Sequence, residues 1–184
     1  MNACAFVLAA GRGRRSGGPK AWQAREGRSL IEKQAHFLLG LFSPELIFFS
    51  IQKEWLGRCR KIHPRINWVA VDPDAPAMAS FLTLLRISLP EQWIFFHHVD
   101  MPVWSRGLFR TLMLEASRAG GEDALIACHK GQRGHPALLA PHCGPALLKL
   151  NPFKDRLDYW LKGKFVRLVE IPHKRVLLNW NHAV

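Results

Sequence analysis

No uninterrupted apolar segment in this 184-residue chain is long enough to span a bilayer. The apolar stretch near its start has no positive region before it. The basic residues come afterwards, so it does not read as a secretion signal. Both absences predict a soluble, cytoplasmic protein with no membrane partner. Cys-x-x-Cys pairs are also missing: Cys4, Cys59, Cys128 and Cys143 stand singly, which fits reduced, buried thiols and not a disulfide framework. The nine histidines form no His-x-x-x-His pair and no cluster with cysteine. There is no internal repeat, low-complexity tract or interdomain linker. Acidic residues are scarce, 14 against 26 basic ones, and the formal charge of +12 favours an anionic partner. A Lys/Arg tract, zinc-finger spacing and an aromatic RNA-binding strand are all lacking. Nucleic acid is therefore a weaker candidate than a nucleoside triphosphate with a phosphorylated acceptor.

What is present is a hydrophobic content of 48% with seven Trp, which argues against disorder and allows one domain with a sizeable core. The run Ala3 to Ala10 has the length of a strand buried on both faces. It flows into a loop holding Gly11, Gly13, Gly17 and Gly18 together with Arg12, Arg14, Arg15 and Lys20. Glycines let main-chain N–H groups close on an anion, and four cations within nine residues add charge. A mobile surface turn is the bland alternative. The loop is neither a Walker motif, since no Gly-Lys-Ser/Thr follows, nor Gly-x-Gly-x-x-Gly, since Ser16 occupies the last position.

Strand and helix patterns alternate after the loop. Helices are predicted over Ser29–Leu41, where Ser29 and Glu32 form a capping box, and over Glu54–Ile62, Ala75–Leu89 and Arg106–Ala119. Strands are predicted at Leu46–Ile51, Trp68–Val71, Trp93–His97 and Ala124–Cys128. This alternation implies an α/β fold with a mainly parallel sheet. Beyond Cys128 the pattern changes. A loop from His129 to Pro136 precedes a short apolar run, Ala137–Ala140. Helical patches follow at Gly144–Leu150 and Lys154–Leu161, then short strands at Val166–Ile171 and Arg175–Leu178.

Ligands of open α/β sheets bind beyond the carboxyl ends of strands. The glycine loop and Asp100 both follow buried strands, so one crevice can hold both. Asp100 suits Mg²⁺, which prefers hard oxygen donors, although Asp-x-Pro is also ordinary turn chemistry. In Arg133-Gly134-His135-Pro136, Gly134 permits a sharp turn and Pro136 stiffens it. His135 either binds an anion or bonds within the loop. Ser80 is either a ligand contact or a plain polar helix residue.

Leu8-Ala9-Ala10-Gly11-x-Gly13-x-Arg15-x-Gly17-x-x-Lys20, Asp100-Met101-Pro102 and Gly134-His135-Pro136 occur in order. Together they resemble the molybdenum cofactor nucleotidyltransferases, with Ala9-Ala10 leaning toward the cytidylyltransferase side over the guanylyltransferase side. The resemblance implies a three-layer α/β/α Rossmann-like fold of the nucleotide-diphospho-sugar transferase type, with a mainly parallel mixed sheet. It implies one domain over 1–184, with a nucleotide-binding half at 1–128 and an acceptor-side half at 129–184. The implied reaction passes NMP from an NTP, CTP ahead of GTP, to a phosphorylated acceptor such as molybdopterin, and releases pyrophosphate.

Within that family pattern, Leu8, Ala9, Ala10, Gly11, Gly13, Arg15, Lys20 and Ser80 correspond to nucleotide-binding positions, and Arg15, Lys20 and Asp100 to catalytic ones. Gly134, His135 and Pro136 correspond to the acceptor side. Asp100 and Asn181 correspond to the Mg²⁺ ligands, with Asn179 the alternative to Asn181. Family members usually carry an acid in that last segment. The asparagines here motivate a rival reading, a nucleotide-binding protein of the same fold without turnover; a basic nucleic-acid-binding protein is a further one.

Overall fold

The computed structural model describes residues 3–14, 17–88 and 91–180. Alternate residues of β1 (Ala3–Leu8) supply both layers of the core. Ala3, Ala5 and Val7 enter one apolar cluster, and Cys4, Phe6 and Leu8 the other. A strand buried on both faces belongs at the centre of a sheet, and β1 is there. A small antiparallel hairpin, β2 (Ala24–Arg25) and β3 (Arg28–Ser29), follows the glycine loop. The remaining strands are β4 (Ile47–Ile51), β5 (Asn67–Ala70), β6 (Trp93–His98), β7 (Ala124–His129), β8 (Gln132–Leu139) and β9 (Val166–Glu170).

The main sheet has seven strands in the order β5-β4-β1-β6-β8-β7-β9. Every pairing is parallel except those of β8, which runs antiparallel to β6 and β7. Helices cover both faces. The cluster on one side draws on α1 (Leu30–Leu39), α2 (Leu56–Ile62) and α4 (Arg106–Ser117). The other draws on α3 (Ala77–Ser88), α5 (Gly144–Leu147) and α6 (Leu157–Trp160). This is the mainly parallel α/β arrangement that the alternating pattern implied, in the three layers that the resemblance implied. Among the described residues no helix is long and apolar enough to cross a membrane.

The Ser29 capping box forms as expected: Ser29 N–H donates to Glu32 Oε2 at 2.8 Å, and Glu32 N–H to Ser29 Oγ at 3.4 Å. All four cysteines are free and buried, and burial pushes the Cys4 and Cys59 thiols up to about 12.

Two expectations fail in the second half. Residues 129–136 are not a loop. Lys130 and Gly131, with φ of 51° and 74°, make a two-residue hairpin turn, and β8 starts at Gln132. Gly134, His135 and Pro136 therefore lie within a strand. The segment Arg175–Leu178, read as a strand from its branched apolar residues, is instead a 3-10 turn over Lys174–Leu177. Only Val176 of that turn is fully buried, packed behind Gly134. A Cβ at Gly134 would sit 2.4 Å from the Val176 carbonyl oxygen, so this close approach requires glycine. The helical patches are also shorter than their periodicity suggested, four residues each in α5 and α6.

Candidate nucleotide-transfer site

The strand order reverses beside β1: the chain moves from β1 out to β4 and β5, then returns through α3 to β6 on the other side. Such a switch leaves a crevice at the carboxyl ends of the strands. A cavity of about 240 Å³ occupies it, lined by the end of β1, the glycine loop, Lys20, Ser80, His98 and Asp100. The backbone draws these ends together. Ala9 N–H donates to Ser50 O at 3.0 Å, and Val99 N–H to Leu8 O at 3.0 Å.

Lys20 Nζ lies 2.5 Å from Asp100 Oδ2, an ion pair across 80 residues with both side chains largely buried. Asp100 Oδ1 has no hydrogen-bond partner among the described residues, which leaves one hard oxygen donor free for a cation. Ala10 and Gly11 line the same cavity, and the N–H groups of Ala10, Gly11 and Arg12 have no partner among the described residues. A run of unpaired main-chain donors is a ready cradle for phosphate oxygens. Gly13 takes a φ of 61°, which a side chain would resist, and its carbonyl accepts from Gly18 N–H at 3.1 Å, closing the loop. Arg12 and Arg14 reach across to α3's entry: Arg12 grips Asp74 through Nε and Nη2 at 2.7 Å each, and Arg14 Nη2 joins at 2.8 Å.

The structure thus brings Leu8, Ala9, Ala10, Gly11, Gly13, Lys20, Ser80 and Asp100 to one cavity. Arg15 and Asn181 lie outside the described residues. Asn179 is exposed. The segment that carries it is tied to the site, because Trp180 N–H donates to Asp100 O at 2.9 Å and Trp180 packs edge-on against Trp104 at 5.8 Å.

Gly134 and His135 line a second cavity, of about 580 Å³, which shares Leu8, Ala77 and His98 with the first. Pro136, although expected on the acceptor side, is buried in β8 and is not part of that lining. Burial lowers His135 to about 4, so at neutral pH it offers a hydrogen bond and no charge. Burial also lowers His98, with the Lys20 charge acting in the same direction and Asp100 opposing.

Several contributors escaped the sequence reading. Gln52 Nε2 donates to Ala10 O at 2.8 Å, pinning the loop's start, and Ser50 lines the cavity. Polar residues closing an apolar strand were the available signal. Asp74, which Arg12 and Arg14 grip, stands in a short Asp72-Pro73-Asp74 turn with no sign in the sequence of that pairing. A buried chain supports the loop that bears Asp100. Trp104 Nε1–H donates to Gln34 Oε1 at 2.9 Å, so the Gln34 amide nitrogen faces His97 Nε2 at 2.8 Å as the donor. His97 therefore accepts on Nε2, and complete burial lowers it to about 3. Asp123, His142 and Cys143 also come together, at the opposite end of β7. There Asp123 accepts from Phe165 N–H at 2.9 Å and Cys143 Sγ at 3.3 Å, and serves as a structural bracket.

Solved structures share this fold. Rv0371c from Mycobacterium tuberculosis H37Rv superposes with a TM-score of 0.81 at 18% identity, covering 99% of this chain and 94% of that one. Its complex with manganese gives 0.73 at 16% identity, covering 94% and 90%. Molybdopterin-guanine dinucleotide biosynthesis protein A from Archaeoglobus fulgidus gives 0.60 at 22%, covering 90% and 82%. The 4-diphosphocytidyl-2C-methyl-D-erythritol synthase from Anaerococcus prevotii gives 0.69 at 17%, covering 96% and 91%. No curated protein sequence matches the chain. With a sequence model that spans residues 5–167, the family is shown: the chain belongs to the MobA-like NTP transferase domain family.

Proposed function

We propose that the protein transfers a nucleotidyl group from a nucleoside triphosphate, CTP ahead of GTP, to a phosphorylated acceptor such as molybdopterin. The observation that carries this reading is the Lys20–Asp100 pair, set in a cavity bordered by the main-chain N–H groups of Ala10 and Gly11, which have no partner among the described residues. The preference for CTP rests on the Ala9-Ala10 resemblance, and the acceptor on family membership.

The triphosphate enters with its oxygens on the N–H groups of Ala10, Gly11 and Arg12. Lys20 exchanges Asp100 for phosphate oxygens and neutralises charge as it develops, with Arg15 assigned the same role. Such fixed positive groups act where water is largely excluded. The acceptor's phosphate oxygen attacks the α-phosphorus. A new P–O bond forms, the bond to the bridging oxygen of pyrophosphate breaks, and that oxygen keeps the electron pair. A phosphate is already nucleophilic at neutral pH, so no general base is assigned. In-line placement supplies much of the rate. Asp100, with Asn181 as second donor, would hold Mg²⁺. One carboxylate plus phosphate oxygens and water is a usual set for that ion. Bound there, the ion supplies charge neutralisation on the phosphates.

The test is calorimetric titration with CTP, GTP, ATP and UTP, each with and without Mg²⁺, followed by a pyrophosphate-release assay with molybdopterin. The expected outcome is metal-dependent binding of one nucleotide, CTP first, lost in Asp100→Ala. Binding without pyrophosphate release would favour the rival reading of a nucleotide-binding protein without turnover. Absence of binding to all four would end the transfer reading.

A further inference from the structure

The bracket at the start of β7 is built from three side-chain types that hold borderline-soft metal ions. Asp123 offers a carboxylate oxygen, His142 a ring nitrogen and Cys143 a sulfur, and these atoms lie within 4.8 Å of one another. Among the described residues no other group of three His, Cys, Asp or Glu side chains converges in this way. Asp123 stands directly before β7, and His142 and Cys143 belong to the turn after β8, so the pairing of β7 with β8 makes the cluster. It lies at the amino end of β7, whereas the nucleotide cavity lies at the carboxyl ends of β1 and β6.

His142 Nε2 is 3.2 Å and Cys143 Sγ 3.3 Å from the same Asp123 oxygen, Oδ1. Zinc bonds of about 2.0–2.1 Å to nitrogen and oxygen and about 2.3 Å to sulfur, at tetrahedral angles, separate ligand atoms by about 3.3–3.6 Å. Both observed separations are within about 0.3 Å of those edges. The carboxylate is already aimed. Phe165 N–H donates to Oδ2 at 2.9 Å, which turns Oδ1 toward His142 and Cys143, and an outer partner of this kind fixes a ligand's orientation. Backbone bonds hold the frame: Asp123 N–H to Phe165 O at 2.8 Å, Ala140 N–H to Asp123 O at 2.9 Å, and Cys143 N–H to Ala140 O at 3.1 Å. Cys143 is buried, whereas the His142 side chain is 54% exposed, so solvent reaches the cluster from the His142 side.

The charges suit a dication. Burial opposes ionisation of Asp123, but the Phe165 N–H, Cys143 and His142 outweigh it and hold the carboxyl below its ordinary value. Burial, then the hydrogen bond to Asp123, pushes the Cys143 thiol up to about 12, so its proton stays on sulfur until a metal displaces it. Lys164 acts on both groups and opposes cation binding; its ammonium rests over the Trp160 ring at 4.6 Å.

We propose that Asp123, His142 and Cys143 form a zinc site with water as the fourth ligand. As the Zn–S bond forms, the Cys143 S–H bond breaks; sulfur keeps the electron pair, the proton passes to solvent, and nothing is oxidised or reduced. Sulfur and nitrogen donors separate this site from the hard oxygen of Asp100, which suits Mg²⁺. Bound zinc ties together the start of β7, the turn after β8 and, through the Phe165 N–H, the lead into β9. The site does not depend on the nucleotidyl-transfer reading.

The test is titration of the full, reduced chain with Co²⁺, whose bond to a thiolate gives a charge-transfer absorption that oxygen and nitrogen ligands do not. The expected result is one such band, saturating at one Co²⁺ per chain and bleached by Zn²⁺, which binds more tightly. Calorimetry with Zn²⁺ should show release of about one proton per ion, read as a heat that depends on the buffer. Cys143→Ser should abolish the band. His142→Ala, at an exposed position, should weaken Co²⁺ binding by at least about tenfold. Asp100→Ala should leave the band in place. Thermal melts check folding, and His142→Ala decides the matter where Cys143→Ser does not fold. A wild-type chain without the band would overturn the proposal. So would a band that His142→Ala or Cys143→Ser leaves unmoved, or one that Asp100→Ala removes.

Discussion

The glycine loop and strand β8 border the same pair of joined cavities and are held in place by opposite means. The loop is largely exposed. Its shape comes from the backbone freedom of Gly13, and its side chains are charged and paired across water-accessible space, Arg12 and Arg14 on Asp74. Strand β8 is mostly buried, laddered on both edges, backed by Val176 at Gly134, and bordered by histidines that burial keeps neutral. One side of the site presents charge and main-chain donors. The other presents shape and apolar surface. The loop can exchange its partners when a triphosphate arrives, because exposed ion pairs are weak. The strand cannot yield without unpacking the core.

The largest effect expected from this contrast is on the charged side. Lys20→Ala should lower turnover by about 10²- to 10³-fold, as loss of a single charge-stabilising donor does elsewhere. Denaturant unfolding should change far less, by about 1–3 kcal/mol, for leaving Asp100 without its partner. Equal turnover in the variant would remove Lys20 from the scheme and erase the distinction between the two sides.

Acid should act through two buried imidazoles, His135 on β8 and His97 on β6 behind the Asp100 loop. His97 and His135 have folded values near 3 and 4 against an ordinary 6.5, so the unfolded chain takes up protons first as pH falls. Their contribution is complete above about pH 6.5 and is lost progressively toward pH 4 and 3. Each unit of depression corresponds to about 1.4 kcal/mol. The urea midpoint should therefore drop between pH 7 and pH 5. A flat profile across that window would mean that neither imidazole is desolvated.

The smallest effect tests the backing of β8. Gly134→Ala should destabilise by about 1–3 kcal/mol, because its Cβ meets the backbone carbonyl of Val176 and cannot be relieved by a rotamer change. Thermal melts read the loss directly. A neutral Gly134→Ala would show that the Lys174–Leu177 turn can move away, and the two sides would then be equally pliable.

Legibility in the sequence divides along the same line. The loop, the capping box at Ser29 and the buried centre strand β1 were readable, because each depends on residues close in the chain: glycine φ, a side-chain cap, an apolar run. The hairpin at Lys130-Gly131 was missed because its turn lacks the Asn-Gly or Asp-Gly signature, and a glycine-bearing basic stretch reads as a loop. Arg175–Leu178 was misread because its branched residues favour strands, whereas no ladder takes them up. The partners of Gln52, of Asp74 and of the His97–Gln34–Trp104 chain lie 42 to 70 residues away, so no local pattern announced those contacts.

By itself the sequence determined the alternation of strands and helices, the glycine-rich basic loop and the identity of Lys20 and Asp100 as candidates, because periodicity, glycine and charge are local properties. Only the tertiary structure decided that Lys20 and Asp100 touch, that β8 runs antiparallel between β6 and β7, and that a second cavity joins the one beside the glycine loop. Those outcomes depend on strand order and register. These are fixed by burying both faces of one sheet at once, and no short window of sequence contains that condition.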